Sequence, residues 1–137
     1  MHYFLFILLA IGQMANAQVE QDYSQNKTLS YQEAIQAYRD LEQRFDHARL
    51  IEAGISDAGR PLHVFVMGNQ VTEGRSLQEL ARGHTVLLIN NAIHPGEPCG
   101  VDASLAYARD LLQSNLPAKV LVAIIPIYNV GGALKQK

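Results

Sequence analysis

Residues 94–97 read His94-Pro95-Gly96-Glu97. An imidazole nitrogen and a carboxylate oxygen are both good zinc ligands, with bonds of about 2.0–2.2 Å. Pro95-Gly96 is a pair that curls the backbone, so the side chains at 94 and 97 are able to face one point. A catalytic zinc takes three protein ligands and keeps one position for water. This tetrapeptide supplies two. The plain alternative is an ordinary surface loop with a solvated Glu97, and His-x-x-Glu is too short to decide between them.

The elements on either side put the tetrapeptide in a favourable place. Val86-Leu87-Leu88-Ile89 is a short continuous apolar run, the pattern of a strand covered on both faces. Val101, Leu105, Ala108 and Leu112 fall at i, i+4, i+7 and i+11 and predict a helix. Val120 to Ile127 form a β-branched strand interrupted by Pro126 near its end. Strand, helix and strand make a βαβ unit, expected to be parallel and right-handed. The loop holding His94 and Glu97 then follows the carboxyl end of a strand, where open α/β sheets form their ligand sites.

Upstream, Ser30-Tyr31-Gln32-Glu33 reads as a capping box. Ala34, Tyr38, Leu41 and Phe45 follow on one face of a helix over 31–46, and Gln36, Arg39, Asp40 and Gln43 form its solvated face. Leu50–Ile55 and Leu62–Met67 are expected to pair as an antiparallel hairpin through the turn Ser56 to Pro61, where Arg60 is expected to stabilise the turn. A short helix is expected at Leu77–Ala81, and a turn at Asn129-Val130-Gly131-Gly132. The class is α/β with a mixed sheet of about four strands and two main helices.

Length and composition exclude several functions. The chain has 137 residues, one domain's worth, with a formal charge of −2. That balance gives no reason to expect a nucleic-acid partner or a polybasic membrane surface. A hydrophobic content of 48% argues against disorder. A single cysteine, Cys99, allows no internal disulfide. Residues 1–17 read as a signal peptide: Tyr3 to Ile11 are apolar and too short to span a bilayer, and Ala15-Asn16-Ala17 is a small-residue cleavage site. Its leading region lacks Lys and Arg, and a buried N-terminal strand or helix is the competing reading. Export to the periplasm or the exterior is expected, with no stable membrane span once the signal is removed. Residues 18–29 are expected to be a polar lead-in.

Three ordered segments resemble one family. Asn90-Asn91-Ala92-Ile93-His94-Pro95-Gly96-Glu97-Pro98 is similar to the first zinc-binding motif of the M14 family of zinc carboxypeptidases. Ser56-Asp57-Ala58-Gly59-Arg60-Pro61-Leu62 is similar to that family's hairpin turn. Ile124 to Gly132 is similar to the strand and turn after the motif helix. The resemblance covers roughly residues 30–134. It implies an incomplete, mixed-sheet zinc-carboxypeptidase-like fold over 30–137, with Zn2+ as cofactor and His94 and Glu97 as two of its three protein ligands. It implies hydrolysis of a C-terminal peptide bond by zinc-activated water, on the C-terminus of a peptide or protein. The family's third ligand, general base and substrate-carboxylate residues lie downstream and have no counterpart here. Lys137 then reads as an artificial end, no catalytic residue is assigned, and the substrate-binding residues stay unknown. This N-terminal portion of the enzyme is expected to be inactive alone. Gly96 stands where digestive members carry arginine, which leaves side-chain preference open.

Other readings of these residues are a catalytically dead interaction module of the same fold, and an amidoacylase-type relative that also uses His-x-x-Glu. The hairpin turn favours the peptidase. Cys99 as a further zinc ligand would make a cramped chelate, and as a nucleophile beside His94 it lacks an evident oxyanion donor. His47, His63 and His84 read as surface or satisfied histidines. The last strand, Val120–Ile127, is expected to be the sheet's open apolar edge, which would leave the chain marginally stable alone.

Overall fold

The computed structural model describes residues 27–135. The expected signal peptide over 1–17, residues 18–26 of the expected lead-in, and residues 136–137 lie outside the described residues. Among the described residues no helix is long and apolar enough to cross a membrane.

Helix α1 spans Tyr31–Arg44, and its capping box is made as the sequence predicts. The Glu33 backbone N–H donates to Ser30 Oγ at 3.3 Å, and the Ser30 N–H donates to Glu33 Oε2 at 2.8 Å. Hydrogen bonding of the carboxylate to the Ser30 side chain, and then to its backbone N–H, holds the Glu33 carboxyl below its ordinary value. The helix stops two residues earlier than its periodicity suggests, because Phe45 turns to extended backbone and caps it. Strands β1 (Ala48–Ile55) and β2 (Pro61–Met67) form the expected antiparallel hairpin. Backbone closes its turn: the Ser56 N–H donates to Arg60 O at 2.8 Å, and the Gly59 N–H donates to Ser56 O at 3.0 Å. Arg60 adds a backbone bond to Ser56 Oγ at 3.3 Å.

Short helix α2 (Leu77–Ala81) precedes strand β3 (Thr85–Asn90). Helix α3 (Cys99–Leu112) returns the chain to strand β4 (Val120–Ile125), which lies parallel to β3. The sheet order is β1-β2-β4-β3, with β4 antiparallel to β2. On one face, Phe65, Met67, Val122 and Ile124 pack against Tyr38 and Leu41 of α1 and Leu105, Ala108 and Leu112 of α3. The other face holds a smaller cluster of Val66, Leu121 and Ala123 under Leu80 of α2. The predicted helical face of α3 is therefore its core face.

Two expectations about the sheet are corrected. The crossover inserts β4 between β2 and β3, so β4 is central and its Leu121, Val122, Ala123 and Ile124 are buried. The sheet's edges are β1 and β3, and the exposed apolar run lies on β3, whose Val86, Leu87 and Leu88 are 46%, 44% and 58% exposed. An apolar run records a strand's appetite for burial, not its place in the sheet. An uncharged apolar edge invites pairing with another chain. Leu88→Lys is expected to lower concentration-dependent association in sedimentation velocity while leaving the thermal midpoint unchanged, because the side chain gives up no packing.

A third correction concerns Asn129 to Gly132. Helix α4 (Val130–Lys135) begins there. Asn129 caps it, its Oδ1 accepting from the Gly132 N–H at 2.8 Å.

Of the two roles expected of His63, surface or satisfied, burial on β2 leaves only the second. Its Nδ1 lies 3.4 Å from Tyr31 Oη, and its Nε2 lies 3.8 Å from Glu52 Oε1 with no hydrogen-bond partner. Burial lowers its pKa; the Glu52 carboxylate opposes that and Arg39 adds to it. The unfolded chain then takes up the proton first, near the ordinary histidine value of about 6.5. Stability is fully present above that pH and falls as the pH drops through the window below it. Urea midpoints at pH 7.5 and pH 5.5 are expected to show this loss, and His63→Leu is expected to reduce it.

Candidate metal centre

The loop over residues 91–98 joins β3 to α3 and carries both predicted ligands. His94 Nδ1 lies 3.2 Å from Glu97 Oε2. The Glu97 backbone N–H donates to His94 O at 3.2 Å, which is the tight curl expected of Pro95-Gly96. The two side chains are 74% and 71% exposed, so no packing of their own holds them. Two zinc bonds of about 2.0–2.1 Å at a tetrahedral angle put their donor atoms about 3.3 Å apart. The separation in the structure has that size, so this donor set fits two positions on one ion. Among the described residues no group of three His, Cys, Asp or Glu side chains converges, so Cys99 does not complete the set. Cys99 is exposed at the first turn of α3.

Three neighbours fix the loop backbone, and the sequence reading gave none of them that task. Asn91 is buried at the loop's start, with Nδ2 donating to Ser104 Oγ at 2.8 Å and to Ile125 O at 3.2 Å. Asn129 donates from its backbone to Ala92 O at 3.1 Å and from Nδ2 to Ile93 O at 3.3 Å. Gly132 leaves room for the Pro95 ring: a Cβ there would overlap Pro95 Cγ. Asn129 ahead of two glycines is a visible cap signal; nothing in the sequence marks Asn91 or Ser104 as partners. Beside the loop, Ile93, Tyr128 and Asn129 meet Ser56, Asp57 and Leu62 of the hairpin around a groove of about 370 Å3. The hairpin turn and the loop holding His94 and Glu97 are thus neighbours in space.

Solved structures with this architecture include bovine thrombin-activatable fibrinolysis inhibitor in complex with tick carboxypeptidase inhibitor. It matches with a TM-score of 0.60 and 19% identity, over 80% of this chain and 35% of that one. A metallo-carboxypeptidase from Burkholderia cenocepacia matches with a TM-score of 0.50 and 22% identity, over 77% of this chain and 28% of that one. The fold is a metallocarboxypeptidase fold. A second structure of thrombin-activatable fibrinolysis inhibitor agrees, with a TM-score of 0.52 and 20% identity over 82% of this chain. The chain spans about a third of the length of these metallocarboxypeptidase structures. No family model and no curated protein matches the sequence.

Proposed function

We propose that residues 30–137 form the N-terminal part of the catalytic domain of an exported zinc metallocarboxypeptidase, in which His94 and Glu97 hold the metal. One observation carries the reading: in a metallocarboxypeptidase fold, His94 Nδ1 and Glu97 Oε2 meet at 3.2 Å on the loop after β3. The export signal over residues 1–17 rests on the sequence alone. When bound, zinc supplies polarisation of the scissile carbonyl and a water of lowered pKa.

The chain's own residues have a narrower task. His94 offers a ring nitrogen and Glu97 a carboxylate oxygen, both open to solvent. Glu97 is used as a ligand and is not free to serve as the base. No other residue of this chain is assigned to move the proton. The substrate class is the C-terminal end of a peptide or protein, and turnover requires residues beyond those two ligands.

Equilibrium dialysis against zinc tests the metal assignment. The expected result is one zinc per chain, held weakly and lost on dialysis into metal-free buffer. No binding at millimolar zinc would remove the reading.

A further inference from the structure

The two ligand side chains are exposed, so the loop backbone must set their positions. That backbone leaves β3 at Asn91 and enters α3 at Cys99. A buried polar knot ties both ends together. Asn91 Nδ2 donates to Ser104 Oγ at 2.8 Å, a bond between residues 13 positions apart that closes the chain around His94 and Glu97. Ser104 donates its own hydrogen to Val101 O at 3.1 Å. Its contact with Tyr38 Oη at 2.9 Å is therefore a bond in which the tyrosine donates. The serine hydroxyl then has one donor bond and two acceptor bonds, its full complement.

The knot joins α1 through Tyr38, α3 through Ser104, the end of β3 through Asn91 and β4 through Ile125 O. It lies beside a strained residue. Ala92 has φ of +49°, a left-handed conformation disfavoured for any residue with a Cβ. Such a conformation persists only where its surroundings over-determine it. Here the Asn91 knot stands on one side of Ala92, and the Asn129 N–H donates to the Ala92 carbonyl.

We propose that Ser104 and Asn91 are positioning residues that hold the metal loop in its ligating shape, an inference that rests on His94 and Glu97 being the zinc ligands. Ser104 is the hub, because its hydroxyl is the one atom shared by the loop and both long helices.

Ser104→Ala tests this in the full chain. Alanine is the stronger helix former, so α3 is kept while the hydroxyl is lost. Tyr38→Phe is the control, since it removes one bond to the hub and leaves Asn91 tethered. Zinc affinity from chelator competition is expected to fall about tenfold in Ser104→Ala and to stay within about twofold in Tyr38→Phe. Amide hydrogen exchange gives a second readout that needs no metal. The Asn91 N–H, bonded to Ile125 O, and the Glu97 N–H, bonded to His94 O, are expected to exchange faster in Ser104→Ala alone. A purely structural serine would lower the thermal midpoint and leave both readouts unchanged, and that result overturns the proposal. If the parent chain binds no zinc, the ligand assignment fails separately. Exchange then decides the tether: faster exchange at Asn91 and Glu97 upholds it, and unchanged exchange overturns it.

Discussion

Replacing Glu97 by glutamine is expected to cost about 100-fold or more in zinc affinity and almost nothing in stability. The side chain is 71% exposed, and its one partner is His94. An exposed contact of that kind contributes roughly 0–1 kcal/mol to folding. Its proposed metal role is different, because the amide would remove one of the two proposed protein ligands and the acidic one. Losing a partner that only orients a ligand typically costs about 10–100-fold, so losing the ligand itself costs at least the upper part of that range. His94→Ala is expected to behave in the same way. His84→Ala is the control, since that ring sits at the other end of β3 and bonds Arg82 O at 3.0 Å. Zinc affinities by chelator competition, with thermal midpoints alongside, check all three. Equal affinities in the parent and Glu97→Gln chains would contradict the assignment.

Gly132→Ala is the second large effect. A Cβ at Gly132 would overlap Pro95 Cγ and would stand 2.8 Å from the Asn129 Oδ1 that caps α4. A proline ring is anchored to backbone at both ends and cannot swing away as a lysine would. Either α4 or the metal loop must move. Overpacking of this kind costs about 1–3 kcal/mol, and the displaced loop carries His94 and Glu97 with it. Gly131→Ala is the informative contrast. Its Cβ would meet only the Asp57 carboxylate, at 3.0 and 3.2 Å, which is the end of an exposed side chain. Gly131→Ala is expected to be close to neutral, helped by the higher helix propensity of alanine. Denaturant midpoints distinguish the two. A Gly132→Ala chain as stable as its parent, with unchanged zinc affinity, would show that the Pro95 contact does not hold the loop.

Local patterns in the sequence were legible where one segment decides its own structure. The Ser30–Glu33 capping box, the α3 core face and the β1–β2 hairpin each depend on residues close together in the chain. The meeting of His94 and Glu97 is of the same kind, being a three-residue curl. What spacing could not supply is the outcome of long-range choice. Whether β3 or β4 takes the centre of the sheet depends on where the α3 crossover lands, and both strands read as apolar. The knot of Tyr38, Ser104 and Asn91 links residues 66 and 13 positions apart, which no periodicity connects. Two consecutive glycines at 131 and 132 argue for a turn, yet both lie in α4, and at Gly132 a larger side chain would collide with Pro95. Spacing alone did not say which of the two roles His63 would take, because that depends on β2 being buried from His63 to Met67, except at the half-buried Val64.

The most direct test is a zinc titration followed by NMR of the histidine ring nitrogens in the full chain. The account predicts that His94 Nδ1 shifts as metal is added, that Glu97→Gln suppresses the shift, and that the rings of His47, His63 and His84 stay where they were. A titration that moves one of those three rings and leaves His94 unchanged would contradict it.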